Sequence, residues 1–488
     1  MSEVLRQINV YTPRTRPRAK QAEALAKCKG RESFALLMAM RTGKSKVILD
    51  DFGRLELAGL AHDLMVIGPA GALPPWLGEV EAHLSSDLYD RVKVHYWKSG
   101  GGVGHAKALK IFLEKPLSPR ILFMNVEALS SVKEAREVAI RFLTPRRSYL
   151  AIDEATVIKN PTAKRTKFVL NHLAQYADWR RILSGLLTPR SPLDAYAPFF
   201  FLDWRIIGQR SYYAFRNRYA ILRPEWYGGR HVQIIDGYQN LEELQAKLAP
   251  HSFRCRLEDM YDAPEKIYLR REVELTSEQK RIYTEFKKFA TARIEGEAYV
   301  TATVVIAQMI RLHQIVCGFT RAEDGTWHDI PENRTATLIE WLEETDEKAI
   351  VWCSYDRQLQ KLATSLEKHF GPGTVARFWG GNAATREKDE ARFKNDTRCR
   401  FMVATPAAGG RGREWSASNL NIYASNTNNL EHRDQSEYRP QAVGKLEHVT
   451  YGDLVSTGTI DEVFIKALRQ KINLADMINK DNYRAWLI

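Results

Sequence analysis

An apolar run, SFALLMAM over residues 33–40, leads directly into Arg41-Thr42-Gly43-Lys44-Ser45, and a helix-like KVILDDFGRLELAG follows. Strand, glycine turn, Lys-Ser pair and helix N-terminus together make a cradle for phosphate. Backbone N–H groups and the helix dipole face the anion, the lysine reaches the β- and γ-phosphates, and the serine hydroxyl can ligate Mg2+. The glycine that would open the full pattern is missing, with Leu37 or Met38 in its place. A second apolar run, SYLAID over 148–153, ends on Asp153 and is followed by Glu154. Carboxylates there lie at the C-terminal edge of a buried strand, where open parallel sheets bind their ligands. Asp153 can hold Mg2+ through water while Glu154 polarises an attacking water, the two tasks of ATP hydrolysis. Each stretch alone has a plain reading, a chance Thr-Gly-Lys-Ser loop or a solvated acidic turn. Both in one expected sheet argue for a nucleotide site.

The elements that must hold these residues are legible as a rhythm. SFALLMAM, DLMVIGP (63–69), RILFMNV (120–126) and SYLAID read as buried strands, each followed by a helix-length segment. Continuous apolar strands so separated indicate a parallel sheet covered on both faces. Between about 265 and 320 the period becomes helical, and Thr276 or Ser277 ahead of Glu278 and Gln279 marks a helix start. A second alternating region runs through KAIVWCSY (348–355), RFMVAT (400–405), LNIYAS (420–425) and VTYGDLV (449–455). The expected class is therefore α/β. Its domains are an N-terminal ATP-binding one over 1–255, a helical insert over 256–330 and a C-terminal one over 331–488.

Composition bounds the rest. The 488 residues carry 72 Lys and Arg against 59 Asp and Glu, a net +13 that favours a polyanionic partner such as nucleic acid over a neutral one. Five scattered cysteines without a CxxC pair suit reduced thiols and offer no zinc site. There is no apolar run long enough for a membrane span and no secretory pattern at the N-terminus, so a cytoplasmic protein is expected. None of the twelve histidines forms a cluster with metal-ligand spacing.

The Asp-Glu-Ala-Thr box followed by IKNPTAKRTK resembles motif II of superfamily-two helicases, in the Swi/Snf-like branch. Further segments match that branch in order. Gln21 stands where the family reads adenine. VIGPAGALPPWLGEVEAHL (66–84) is similar to the motif that lines the nucleic-acid track. Asn125 and Glu127 fit the next motif, and RRILSGLLTPRSPLDAYAPFFFLD (180–203) fits motif III. RLHQIVCG closes the helical region. KAIVWCSYDRQLQKL, ATPAAGGRGREW (404–415) and SNTNNLEHRDQSEYR (425–439) then resemble motifs IV, V and VI. The resemblance covers roughly 15–480 and is closest to compact members encoded by bacteriophages.

This resemblance implies two RecA-like lobes of the P-loop NTPase fold, with ATP and Mg2+ between them and DNA, duplex or branched and with single strands possible, across their faces. It implies a DNA-dependent ATPase, translocase or helicase, monomeric, in a host-cell cytoplasm if phage-encoded; no protein partner is indicated. By position it makes Lys44, Asp153, Glu154 and Arg439 catalytic. Nucleotide contacts fall to Gln21, Arg41, Thr42, Gly43, Lys44, Ser45, Gly412 and Gln435, and magnesium to Ser45 and Asp153.

Two departures matter. The second arginine of motif VI is replaced by Ala442, with Lys445 at the motif's final glutamine and Pro440 breaking the helix. Loss of such an arginine typically removes about 10³–10⁵ in rate. In motif III, Leu186 and Leu187 follow Gly185 where relatives carry Thr-Pro. Arg411 and Arg413 are candidate substitutes for the missing charge. The alternative is a DNA-binding or partner-recruiting protein on a weakened motor scaffold. Trp76, Trp352, Trp379 and Trp415 could stack on bases or belong to the core. The arm Arg14, Arg16, Arg18 and Lys20, and the run Lys159, Lys164, Arg165 and Lys167, could contact phosphates or merely face solvent.

Overall fold

The computed structural model describes residues 11–114, 118–185, 191–227, 230–257, 259–260, 266–296, 302–322, 324–409, 415–427, 429–441 and 447–469. Contacts divide the chain into two compact units, Met1–Arg223 with Gln233–Asp262, and Pro224–Val232 with Ala263–Ile488.

The first unit is built on strands β1 (Ser33–Met38), β2 (Asp63–Gly68), β3 (Lys93–Tyr96), β4 (Arg120–Asn125), β5 (Ser148–Ile152) and β6 (Trp179–Leu183). A ribbon of β7 (Ala220–Tyr227) and β8 (Arg230–Tyr238) follows, its residues 224–232 grouping with the second unit, then β9 (Ser252–Cys255). Seven of these form one sheet in the order β3-β4-β2-β5-β6-β1-β9, and its pairings are parallel. Both faces are buried, as an all-parallel sheet requires. Along β2, Leu64 and Val66 enter one core while Met65 and Ile67 enter the other, the alternation that a strand imposes. Register sets Ile67 beside Ile152, so β2 and β5 end together and Asp153 donates its N–H to the Ile67 carbonyl at 2.7 Å. Three helices concern the site: α1 (Ala19–Cys28), α2 (Lys44–Leu57) and α3 (Pro75–His83).

The second unit carries β10 (Lys266–Glu272), a small antiparallel pair β11 (Phe319–Arg321) and β12 (Trp327–Asp329), then β13 (Ala349–Trp352), β14 (Val375–Phe378), β15 (Phe401–Ala404), β16 (Leu420–Tyr423) and β17 (Val449–Val455). Its six-stranded sheet, β10-β17-β16-β13-β15-β14, is again parallel. Ala349 and Val351 face one core, Ile350 and Trp352 the other.

The helical stretch expected over 256–330 differs from the sequence reading in two respects: the antiparallel pair β11–β12 lies within it, and so does a strand near its start. Residues 266–272 are an edge strand of the second sheet. With one side towards solvent, KIYLRRE needs no continuous apolar run, so its strand signal is masked by charge. Beyond it the helices Ser277–Gly296 and Ala302–Val316 pack with Ile460–Arg469 around Met309, Leu312, Val316 and Phe464. The first starts as expected: the Thr276 hydroxyl accepts from the Gln279 N–H, and the Gln279 carboxamide accepts from the Thr276 N–H, both at 3.1 Å. Among the described residues no helix is long and apolar enough to cross a membrane.

Candidate nucleotide site

The phosphate loop leaves β1 at Met38 and enters α2 at Lys44. Its turn is left-handed at both Arg41 (φ 64°) and Gly43 (φ 75°). A side chain on Gly43 would also displace the Gln21 amide, since its Cβ would lie 2.2 Å from Gln21 Nε2. Gln21 clamps the loop: Nε2 donates to the Thr42 carbonyl at 3.0 Å, and Oε1 accepts from the Arg18 N–H at 2.9 Å. The Lys44 ammonium folds back onto the loop, donating to the Met38 carbonyl at 3.0 Å and to the Ala39 carbonyl at 3.4 Å. The Thr42 hydroxyl also donates to Ala39, at 2.7 Å. Ser45 stands half-buried in the first turn of α2.

Asp153 and Glu154 follow β5 on the same sheet edge. Asp153 is buried, and burial pushes its carboxyl above the usual range; the Trp76 indole, the nearby Lys44 charge and the Glu154 N–H pull the other way. Its Oδ1 accepts from the Glu154 N–H and its Oδ2 from the Trp76 Nε1–H, each at 2.9 Å. Glu154 holds a left-handed backbone (φ 49°, ψ 63°) ahead of a short 3₁₀ turn over Ala155–Ile158. Non-glycine residues pay for that conformation with about 1–3 kcal/mol, and such strain concentrates at functional sites. Among the described residues only Arg41, Glu154 and Asn240 adopt it, and two of the three flank this edge.

Between the two loops β6 ends in Ser184-Gly185. The Ser184 hydroxyl is buried with no hydrogen-bond partner among the described residues, and a Cβ on Gly185 would sit 3.5 Å from the Met40 nitrogen. A left-handed glycine turn, a lysine held on replaceable carbonyls, a half-buried serine and a buried carboxylate fit a phosphate chain with its divalent cation. Leu186 and Leu187 lie outside the described residues.

The other expected residues belong to the second unit. Gln435 is on the helix Leu430–Glu437, its Nε2 donating to Glu431 at 3.2 Å while its Oε1 is buried with no hydrogen-bond partner among the described residues. Arg439 is buried, and its Nε donates to the Gln435 carbonyl at 3.0 Å. The helix ends before Pro440, as the sequence predicts. Gly412, Arg411 and Arg413, and likewise Ala442, Gly444 and Lys445, lie outside the described residues.

The tryptophans answer to the core reading. Trp352 and Trp415 are fully buried and stack at 5.4 Å, Trp379 packs against the second unit's core, and Trp76 is buried against Phe123. Of the basic runs, Arg14 is tied down by the Glu81 carbonyl, Ser86 and the Tyr89 ring, and Arg165 by the Val157 carbonyl. Arg16, Arg18, Lys164 and Lys167 are exposed.

Sequence reasoning missed two partnerships. One is Trp76 to Asp153; nothing local to either residue signals it. The other is Arg433, buried among Glu437, Asn426 and Asp453 and lying over the Tyr423 ring at 3.3 Å. Its one visible trace is the i,i+4 spacing to Glu437.

A family model for the SNF2-related domain matches residues 15–319. The chain belongs to the SNF2-related family. Among its curated relatives is the putative ATP-dependent helicase/translocase YwqA of Bacillus subtilis, 21% identical over 434 residues, covering 85% of this chain and 43% of that protein. The TATA-binding protein-associated factor MOT1 of Saccharomyces cerevisiae is also similar, 21% identical over 386 residues, covering 69% of this chain and 20% of that protein. The chain thus spans less than half the length of these relatives. Among solved structures, the SWI2/SNF2 ATPase core of Sulfolobus solfataricus in complex with dsDNA is 21% identical, covering 97% of this chain and 95% of that one, at a TM-score of 0.42.

Proposed function

We propose that this SNF2-related protein is a DNA-dependent ATPase that works as a DNA translocase, with ATP held between two RecA-like lobes. The observation that carries the reading is the sheet edge of the first unit. There the Lys44 loop after β1 and the Asp153-Glu154 pair after β5 emerge on one side of one parallel sheet. In this reading Lys44 exchanges the Met38 and Ala39 carbonyls for the β- and γ-phosphates. Arg41, Thr42 and Gly43 line the phosphates through their backbone, while Gln21 fixes the loop and borders the base. Ser45 and Asp153 hold Mg2+, which supplies charge neutralisation at the phosphates when bound. Glu154 orients the attacking water and takes its proton, a task its strained backbone preorganises. Arg439, Gln435 and Gly412 are assigned to the nucleotide from the second lobe.

The division into 1–255, 256–330 and 331–488 is the functional counterpart of this scheme. DNA, duplex or branched and with single strands possible, is the partner that suits the net charge of +13. A monomer in the cytoplasm, encoded by a bacteriophage, completes the proposal.

A second reading, a weakened motor kept for binding, is favoured by Ala442 and by the internal bond of Arg439 to Gln435. Steady-state ATP hydrolysis with duplex and single-stranded DNA, run on the parent and on Ala442→Arg, separates the two. DNA-stimulated turnover in the parent supports the motor. A silent parent that Ala442→Arg revives supports the second reading.

A further inference from the structure

Among the described residues the Asp153 carboxylate accepts two hydrogen bonds, and one donor comes from far away in the chain. The Trp76 indole donates to Oδ2 at 2.9 Å across 77 residues of sequence. Trp76 is itself locked: it is buried, tilted against Phe123 at a centroid distance of 6.0 Å, and placed in the first turn of α3 behind Pro74 and Pro75. On the other flank β2 passes close by, with room left by Gly68, where an added Cβ would lie 3.2 Å from the Asp153 Cβ. With Oδ1 taken by the Glu154 N–H, the two donors fix the plane of the carboxylate and leave one lone pair on each oxygen for other partners. The opposite side of α3 faces solvent, with Pro75, Leu77 and Gly78 exposed.

We propose that Trp76 is a positioning residue for the metal-holding carboxylate: its indole N–H fixes Asp153 in the orientation that receives Mg2+, and α3 is the element whose placement controls that orientation. The inference rests on the nucleotide-site reading above. A ligand's outer-shell hydrogen-bond partner typically contributes about 10–100-fold to metal affinity or activity, and a charge-assisted bond inside a buried site belongs to that class.

The experiment measures affinity for a fluorescent ADP analogue in EDTA and across a Mg2+ titration, for the parent, Trp76→Phe and Phe123→Leu. Trp76→Phe keeps an aromatic ring and removes the donor; Phe123→Leu loosens the same packing and spares the hydrogen bond. Trp76→Phe should keep its metal-free nucleotide affinity and raise the Mg2+ midpoint about tenfold or more. Phe123→Leu should lower the melting temperature with the Mg2+ midpoint in place. If Trp76→Phe does not fold, benzothienylalanine incorporated at position 76, with sulfur in place of the N–H in a ring of the same shape, makes the same comparison. A Mg2+ midpoint unchanged without the donor, or moved equally by Phe123→Leu, overturns the positioning role alone. A parent that binds no nucleotide under any condition overturns the functional reading beneath it.

Discussion

The sheet edge of the first unit and the arginine helix of the second are built on opposite principles. At the first, the backbone is strained at Arg41 and Glu154, the Lys44 ammonium rests on main-chain carbonyls, and the Asp153 carboxyl is held above its usual range by burial. The ammonium and the carboxylate are groups that a polyanion carrying a cation can engage. On the helix Leu430–Glu437, Arg433 is instead satisfied from within by Glu437, Asn426 and Asp453. Its guanidinium is raised even above the ordinary arginine range: Asp453, Tyr423 and Glu437 outweigh the burial that opposes them. Glu437 in turn is held below the usual carboxylate range despite its burial, chiefly by Arg433 and Lys266. The lesson is that charge near a motif does not identify chemistry. What separates the regions is whether the charge is already spent inside the protein.

Breaking the first region should have the largest effect. Lys44→Ala is expected to abolish ATP turnover while the protein stays folded, because the ammonium's hydrogen bonds go to the Met38 and Ala39 loop carbonyls. Turnover assays beside thermal scans check both halves. Glu154→Gln should stop hydrolysis and retain nucleotide, which filter retention of labelled ATP would register.

Breaking the second region should act on stability instead. Removing one partner from a buried ion pair leaves the other uncompensated, at a cost of about 3–5 kcal/mol. Arg433→Ala should therefore lower the denaturation midpoint strongly, with metal-free nucleotide affinity unaltered in the fraction that folds.

A third test uses pH. His313 is fully buried, with Nε2 3.2 Å from Asp461 and Nδ1 2.8 Å from the Tyr355 hydroxyl. Burial alone would lower its pKa, but Cys317 and Asp461 overcome it and hold the imidazole at about 9. A raised folded-state value stabilises fully below the unfolded value near 6.5 and is lost as pH climbs towards 9. The swing is up to about 3 kcal/mol. Denaturation midpoints between pH 6 and 9.5 should fall in the parent and flatten in His313→Gln. The smallest effects belong to single exposed lysines: Lys164→Ala or Lys167→Ala should weaken DNA binding slightly and reduce the salt slope by about one contact each.

Much of this was readable from sequence, for identifiable reasons. Strands such as β1, β2, β4, β5, β13 and β16 announce themselves because both their faces are buried, and the two loops are legible because they fall together at strand ends of one expected sheet. The edge strands β3, β9, β10 and β14 were missed because they are short or carry charges such as Arg270, Arg271 and Arg377, and the central β6 was missed because Arg180 and Arg181 interrupt its apolar pattern. The Trp76–Asp153 bond could not be read at all, since it is made by the register of β2 against β5. The left-handed backbone of Glu154 is likewise a product of tertiary packing and not of residue type.

The most direct test of the central claim is displacement of a third strand from triplex DNA by the parent and by Lys44→Ala, with ATP and Mg2+ present. The account predicts ATP-dependent displacement by the parent and none by the variant. Displacement by Lys44→Ala, or ATP hydrolysis by the parent that moves no third strand, would contradict it.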